Sequence, residues 1–233
     1  MMIESLSPRS QRPVVVFLHG FGNRRTEELQ AFKDRFGTDY DIIMPEYFDP
    51  EDPEDCSSVL WAQRCLHTVQ RVLLKDRKVI LAGFSMGGVI ATWISTVVPV
   101  EKLILLAPAY DLINLKNTGN VLNGLISRFQ KTEEDSHFND LPSSFYQTLF
   151  DVVLQYRDSC SNVTCPVLLI QGSQDSIVSR PASRLCFHKM PTDQKQMIII
   201  ENGHHILLQD EMVCNEVLQI IGLFLEDKIV TRL

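Results

Sequence analysis

The stretch Gly83-Phe84-Ser85-Met86-Gly87-Gly88 lies between a short apolar run, 79–82, and a longer apolar segment that starts near Met86. It fits the pattern G-x-S-x-G, in which a strand turns sharply into a helix and raises a serine at the turn. Side chains at the two flanking positions would collide with the strand and the helix, so small residues make this turn possible. Chance alone supplies about 0.04 such matches in a chain of this composition. The stretch therefore predicts a serine with strained backbone angles at the end of a strand.

A glycine-rich turn that cradles a phosphate is the alternative interpretation of this stretch. The two phosphate-binding patterns, G-x-G-x-x-G and G-x-x-x-x-G-K-[ST], are both absent from the sequence. The serine turn is therefore the interpretation we carry forward.

Strand-like and helix-like segments alternate along most of the chain. Short runs rich in branched apolar residues predict six strands, at 14–18, 41–44, 78–83, 102–107, 166–171 and 196–201. Apolar stripes with helical spacing predict helices at 26–36, 57–74, 86–97, 181–188 and 209–226. The alternation predicts an α/β fold, with a mostly parallel central sheet of about six strands flanked by helices in a single domain, 1–233.

The charge balance and the cysteine spacing restrict the partners. Twenty-two Lys and Arg against 29 Asp and Glu give a net charge of −7, which argues against nucleic acid or an anionic membrane surface. No apolar run approaches the roughly 18 residues of a spanning helix, and the N-terminus lacks a signal-peptide pattern. The six cysteines match neither a zinc site nor a disulfide framework. We therefore expect a cytoplasmic protein with no metal and no membrane span, whose oligomeric state the sequence does not predict.

A second glycine-containing loop follows the first predicted strand. In His19-Gly20-Phe21-Gly22 the two glycines would let the backbone approach a substrate, so that the Phe21 N–H could bind an oxyanion. The Met86 N–H, at the positive end of the helix behind Ser85, would be a second donor.

Together these loops resemble the α/β-hydrolase superfamily, more specifically its small carboxylesterase and lipase-like members with a short helical cap. The resemblance extends over about 14–225. It implies that Ser85 is the nucleophile, that Phe21 and Met86 are the oxyanion donors, and that an acid and a histidine follow in that order.

The downstream loops offer residues for both remaining roles. Asp175, in the loop after the fifth strand, is the implied acid, and His204, directly after Gly203, is the implied base. His205 is the alternative base if the loop register differs by one residue. Asp111, in the loop after the fourth strand, is the alternative acid, but the loop of Asp175 matches the family pattern better.

The resemblance also implies a reaction, the hydrolysis of small-molecule carboxylic esters of small to medium acyl chain through an acyl-enzyme on Ser85, without a cofactor. Residues 109–165, which contain two amphipathic segments and no strand-like run, would form a helical cap that helps to line the acyl pocket. Thioesterase, peptidase or acyltransferase activity on the same three residues, or ligand binding without catalysis, are the alternatives.

Overall fold

A computed structural model of the 233-residue chain describes residues 12–22, 29–111 and 141–229. These residues form one parallel sheet with the strand order β2-β1-β3-β4-β5-β6. The strands are β1 (Val14–Leu18), β2 (Asp41–Ile43), β3 (Val79–Phe84), β4 (Lys102–Leu106), β5 (Val167–Gly172) and β6 (Lys195–Ile200). The predicted α/β fold with a parallel sheet of about six strands is confirmed.

Six α-helices flank the sheet in the described part of the chain. They are α1 (Gln30–Phe36), α2 (Ser58–Leu73), α3 (Met86–Val97), α4 (Ser143–Tyr156), α5 (Arg180–Lys189) and α6 (Cys214–Leu225). A 3-10 helix, Arg157–Asn162, follows α4. Among the helices described, none combines the length and the apolar character that crossing a membrane requires.

The inner strands are buried on both faces, which explains why their sequences are continuously apolar. Successive side chains of a strand point to opposite faces, so β1 contributes to two cores. Val14, Val16 and Leu18 pack in the core that also holds α2, α3 and α4. Val15 and Phe17 pack in the core formed with α1 and α6. Because every strand pair is parallel, the carboxyl ends of all six strands lie at the same edge of the sheet.

The predicted cap, 109–165, is described only in part. Its first amphipathic segment, 121–129, lies outside the described residues. The second forms α4, whose apolar face, including Phe145, Leu149 and Val152, is buried in the same core as α2 and α3. This part of the predicted cap therefore packs on α2 and α3.

Candidate active site

Ser85 occupies the sharp turn between β3 and α3, with φ 50° and ψ −116°. This positive φ is uncommon for a residue with a side chain, so the surrounding contacts must hold it. Its N–H donates to the Leu106 carbonyl at 3.0 Å, and its carbonyl accepts from the Gly88 N–H at 3.0 Å. A Cβ on Gly83 would strike the backbone of Gly87 and Gly88. The strained serine turn predicted from the sequence is present.

Asp175 lies in the loop after β5 with its side chain fully buried. One carboxylate oxygen, Oδ1, accepts the N–H groups of Ile177 at 3.0 Å and Val178 at 2.9 Å. The other oxygen, Oδ2, lies 3.0 Å from Nδ1 of His205. These three contacts fix the plane of the carboxylate and direct Oδ2 at the imidazole.

The charge of Asp175 follows from the same contacts. Burial alone would raise the pKa of Asp175, but the adjacent His205 ring and the hydrogen bonds from His205, Val178 and Ile177 outweigh it and lower the pKa. An ionised carboxylate only accepts hydrogen bonds, so Nδ1 of His205 carries the hydrogen. Nε2 of His205 lies 3.1 Å from Oγ of Ser85, where it can accept the serine proton. Ser85, His205 and Asp175 thus form one hydrogen-bonded chain.

The two adjacent histidines have different surroundings, and this corrects the assignment of His204. The ring of His204 is 66% exposed and lies against Asp210, with Nδ1 3.1 Å from Oδ2. The ring of His205 is only 11% exposed and stacks at an angle on Phe84, with ring centroids 5.0 Å apart. His205, the alternative considered from the sequence, is therefore the histidine that lies between Ser85 and Asp175.

The reason is a close contact between the loops after β5 and β6. The N–H of Gln174 donates to the Gly203 carbonyl at 2.9 Å. A Cβ on Gly172 would collide with the carbonyls of Gly203 and His204, so the backbone of these two residues lies directly on the loop that carries the acid. With this backbone fixed, the ring of His204 projects outward and that of His205 projects toward Ser85.

The loop after β1 lies against the serine turn. A Cβ on Gly87 would meet the carbonyls of Leu18 and His19, so the first turn of α3 touches this loop directly. Phe21 follows in the loop, and Met86 is the first residue of α3. The two residues predicted to donate to an oxyanion are therefore carried by backbone segments in contact with each other.

Side-chain contacts of His19 and Tyr47 stabilise the loop after β1. The ring of His19 is fully buried and stacks on Tyr47 with centroids 4.2 Å apart. Its Nδ1 donates to the Gly20 carbonyl at 2.7 Å, and the Tyr47 hydroxyl donates to the His19 carbonyl at 2.7 Å. A φ of 140° at Gly22 lets the chain turn away after Phe21, a conformation that favours glycine.

Aromatic side chains form a wall beside Phe21. Its ring centroid lies 5.2 Å from that of Tyr146 and 6.2 Å from that of Phe48. Phe145, next to Tyr146 at the start of α4, packs against Phe48 at 6.0 Å. Burial raises the pKa of Tyr146 to about 12, so its phenol stays neutral. The start of α4 thus encloses the loop after β1, which carries Phe21, with apolar surface.

Two residues that support the site were not singled out from the sequence. Gln171, at the end of β5, is fully buried, and its Nε2 lies 3.3 Å from Oδ2 of Asp175 and 3.2 Å from the Val178 carbonyl. An amide in an otherwise apolar strand, four residues before the acid, was the available signal. Asp210 accepts the N–H groups of His204 at 3.3 Å and Met212 at 3.1 Å, which closes the loop that carries His205.

Asp111, the alternative acid, is not the carboxylate that contacts His205. Its backbone carbonyl accepts the Ser179 N–H at 2.9 Å, whereas the carboxylate that contacts His205 is that of Asp175. The structure brings together Ser85, Asp175 and His205 with the loops of Phe21 and Met86, and leaves His204 and Asp111 outside.

Sequence and structure comparisons agree with this architecture. A rat (Rattus norvegicus) monoglyceride lipase is 26% identical over 180 residues, which cover 65% of this chain and 59% of that protein. The solved structure of the metagenome-derived lipolytic enzymes LipS and LipT has a TM-score of 0.76 at 16% identity and covers 93% of this chain and 94% of that chain. Monoglyceride lipase from Saccharomyces cerevisiae gives a TM-score of 0.73 at 15% identity, with 97% of this chain and 90% of that chain covered.

At these identities the solved structures establish a shared fold. Over residues 15–216, most of its length, the sequence matches the alpha/beta hydrolase family. The chain therefore belongs to the alpha/beta hydrolase family.

Proposed function

We propose that this chain is a serine hydrolase that cleaves carboxylic esters of small to medium acyl chain through an acyl-enzyme on Ser85. The observation that carries the proposal is the continuous contact from Asp175 through His205 to Ser85, with distances of 3.0 and 3.1 Å. A serine on a strained turn, in line with an imidazole and a buried carboxylate, is the arrangement that activates a hydroxyl for nucleophilic attack.

In the first half-reaction, Nε2 of His205 accepts the Ser85 proton while Oγ bonds to the acyl carbon of the ester. The tetrahedral oxyanion accepts hydrogen bonds from the N–H groups of Phe21 and Met86. The bond to the alcohol oxygen then breaks, and the imidazolium of His205 gives its proton to the departing alcohol. Asp175 stays ionised throughout and stabilises the imidazolium.

In the second half-reaction, water replaces the alcohol. His205 accepts a proton from the water while the water oxygen bonds to the acyl carbon. The second oxyanion accepts hydrogen bonds from the same two N–H groups. Collapse of this intermediate breaks the bond to Ser85 Oγ, which regains its proton from His205. The carboxylic acid leaves, and no metal or organic cofactor enters the scheme because these side chains supply the nucleophile and the base.

The acyl-chain part of the proposal rests on the aromatic wall. The rings of Phe21, Phe48 and Tyr146 fill space beside the oxyanion loop, which favours short or medium acyl chains over long ones. The similarity to a monoglyceride lipase favours an ester of a small alcohol over an amide as the substrate class. In this proposal α4 belongs to the cap, 109–165, that closes the acyl side of the site.

Covalent labelling tests the nucleophile directly. Intact-mass spectrometry after exposure to a fluorophosphonate should show one adduct on the wild-type protein and none on Ser85→Ala. Ser58→Ala, which alters a half-buried serine at the start of α2, should label like the wild type. Folded wild-type protein that takes up no fluorophosphonate would instead favour ligand binding without catalysis.

A series of p-nitrophenyl esters from two to sixteen carbons then tests the substrate class. We expect kcat/KM to be highest for acyl groups of two to eight carbons and to fall for longer chains. A maximum of kcat/KM at sixteen carbons would contradict the proposed acyl-chain length but not the assignment of Ser85 as the nucleophile. Faster turnover of a matched thioester or amide would replace the ester assignment.

A further inference from the structure

A groove of about 540 Å³ lies between α5 and β6, and Ser85 is not among the residues that line it. Three apolar side chains, Leu185, Met197 and Ile199, contribute to its lining. Leu185 is 57% exposed although it is apolar. In the described part of the chain β6 ends the sheet and pairs only with β5. An accessible strand edge beside an apolar groove is a surface on which another chain can bind.

The rim of the groove carries a basic stripe. Arg180, Arg184 and His188 are spaced by four residues on α5, and all three are exposed and line the groove. Neither arginine forms an ion pair with any carboxylate in the described ranges. The chain as a whole has a net charge of −7, so this stripe is locally opposite in sign to the molecule. Its charge complements an anionic partner.

The basic stripe runs alongside the strand edge. Nζ of Lys195, at the start of β6, donates to the carbonyls of Phe187 at 3.0 Å and Met190 at 2.6 Å, at the end of α5. The helix and the edge strand therefore run in opposite directions, side by side. Residues four apart on a helix are separated by about 6 Å along its axis. Alternate residues of an extended peptide are separated by about 7 Å, so its side chains can follow the stripe.

We propose that this face binds an extended acidic peptide segment, which adds as a further strand to the outer edge of β6. In this arrangement, alternate Glu or Asp side chains of the peptide form ion pairs with Arg180 and Arg184. The aliphatic parts of these peptide side chains cover Met197 and Ile199. The backbone of β6 supplies the main-chain hydrogen bonds, as in other cases of strand addition.

The distribution of charge favours a peptide over a fatty acid as the occupant. A fatty acid carries one charge at one end, whereas the basic groups extend along about 12 Å of helix from Arg180 to His188. Several anionic groups at regular spacing match this stripe better than a single head group. The proposal is independent of the esterase proposal, because within the described residues no side-chain hydrogen bond or ion pair of Ser85, His205 or Asp175 involves a residue that lines the groove.

Isothermal titration with the full-length protein and the capped peptide Glu-Thr-Glu-Thr-Glu-Thr-Glu tests the charge requirement. We expect saturable binding that weakens with added salt and is reduced about tenfold or more by Arg180→Glu/Arg184→Glu. The matched control, Arg71→Glu/Lys75→Glu, makes the same charge change at exposed positions four residues apart on and just beyond α2, and should bind like the wild type. Both variants should keep the thermal stability and esterase rate of the wild type.

A backbone-modified peptide tests strand addition itself. Methylation of the alternate amide nitrogens that would face β6 removes the main-chain donors and keeps every charge, so it should reduce binding at least tenfold. Equal binding of the methylated peptide would show electrostatic adsorption without strand pairing. Absence of binding by the acidic peptide, equal binding of a Lys-Thr peptide, or saturable binding of decanoate alone at the groove would each overturn the proposal.

Discussion

Adjacent histidines in the loop after β6 show how one position along the chain changes the chemistry of a side chain. The ring of His205 is enclosed between Ser85, Asp175 and Phe84, so both of its nitrogens have directional partners. The ring of His204 contacts Asp210 and is otherwise largely exposed to solvent. In the proposed reaction only the first ring can exchange a proton with the serine.

Replacing each histidine by alanine separates these roles. We expect His205→Ala to lower kcat by about four to six orders of magnitude, because the members of such a triad act as a unit. His204→Ala should stay within about threefold of the wild type. Hydrolysis of p-nitrophenyl acetate by both variants, with circular dichroism to verify folding, provides the measurement. The reverse order of effects would return the role of base to His204.

Gln171 supports Asp175 from inside the sheet, and its contribution is testable. Its Nε2 donates to the same carboxylate oxygen that contacts His205, while its own Oε1 is buried without a hydrogen-bond partner in the described structure. Gln171→Met removes a donor to a charged group but also removes this unsatisfied acceptor, so the two effects on stability offset each other. We therefore expect a small change in Tm and a loss in kcat of about tenfold.

The exposed Gln174 provides the matched control for that substitution. It lies in the loop after β5, and its side chain donates a hydrogen bond to Asn202 rather than to Asp175. Gln174→Met should therefore leave kcat close to that of the wild type. A Gln171→Met protein with unchanged kcat, or one whose kcat falls no more than that of Gln174→Met, would remove the positioning role.

At the scale of elements, the turn from β3 into α3 depends on contacts that only glycine allows. A methyl group on Gly87 would overlap the carbonyls of Leu18 and His19, which belong to β1 and its loop and cannot move aside independently. Gly222, inside α6, has ordinary space instead, since its nearest neighbour would be the Phe36 ring at 3.7 Å.

The two glycines should therefore respond oppositely to the same substitution. Gly222→Ala should raise the free energy of unfolding by about 0.5–1 kcal/mol, because alanine loses less backbone entropy in a helix. Gly87→Ala should be destabilised by several kcal/mol, or fail to fold, through backbone overlap. Urea unfolding monitored by circular dichroism measures both. Equal stability of the two variants would mean that the serine turn has more freedom than these contacts allow.

The sequence predicts elements well where local chemistry determines them. β1 is predicted at both ends because a proline precedes Val14 and a His-Gly pair follows Leu18. The start of α6 is not predicted correctly: the sequence places it at 209, whereas the helix begins at Cys214. The apolar residues Leu207 and Leu208 extend the helical pattern toward the N-terminus, but the Asp210 side chain accepts a hydrogen bond from the Met212 N–H and forms a separate turn.

The choice between His204 and His205 depends on a contact that no local pattern records. It follows from the packing of Gly172 against Gly203, residues that are distant in the sequence and belong to different loops. The loops that carry Ser85, Asp175 and Phe21 could be predicted from glycine spacing, since in each case a strand is followed by a loop that contains glycine. The histidine required knowledge of how two loops meet.

At the scale of the whole molecule, three carboxylates share one electrostatic property. The pKa values of Asp55, Asp175 and Asp210 are all lowered, because their hydrogen-bonded and charged partners more than offset burial, which by itself would raise each pKa. Asp55 owes this to Arg64, whose guanidinium nitrogen lies 2.6 Å from Oδ2, and to the Asp49 N–H at 2.8 Å.

These shifts predict loss of stability in acid. Near pH 4 the unfolded chain binds more protons at these carboxylates than the folded chain does, so lowering the pH favours unfolding. The stability they contribute is present above the unfolded pKa of 3.8 and is lost as the pH falls through the lower folded values. Urea midpoints should therefore decline below about pH 4.

Arg64→Gln isolates one contribution to this acid sensitivity, at a residue that forms no hydrogen bond with Ser85, His205 or Asp175 in the described structure. The variant should be less stable than the wild type at pH 7, where Asp55 is ionised and loses its partner. As the pH falls through the lowered pKa of Asp55, protonation weakens the ion pair that only the wild type has, so the two stabilities should converge. Urea unfolding of both proteins from pH 3 to pH 7 measures the difference, and a constant difference across that range would show that Arg64 acts through its hydrogen bond to the Tyr47 carbonyl rather than through the charge of Asp55.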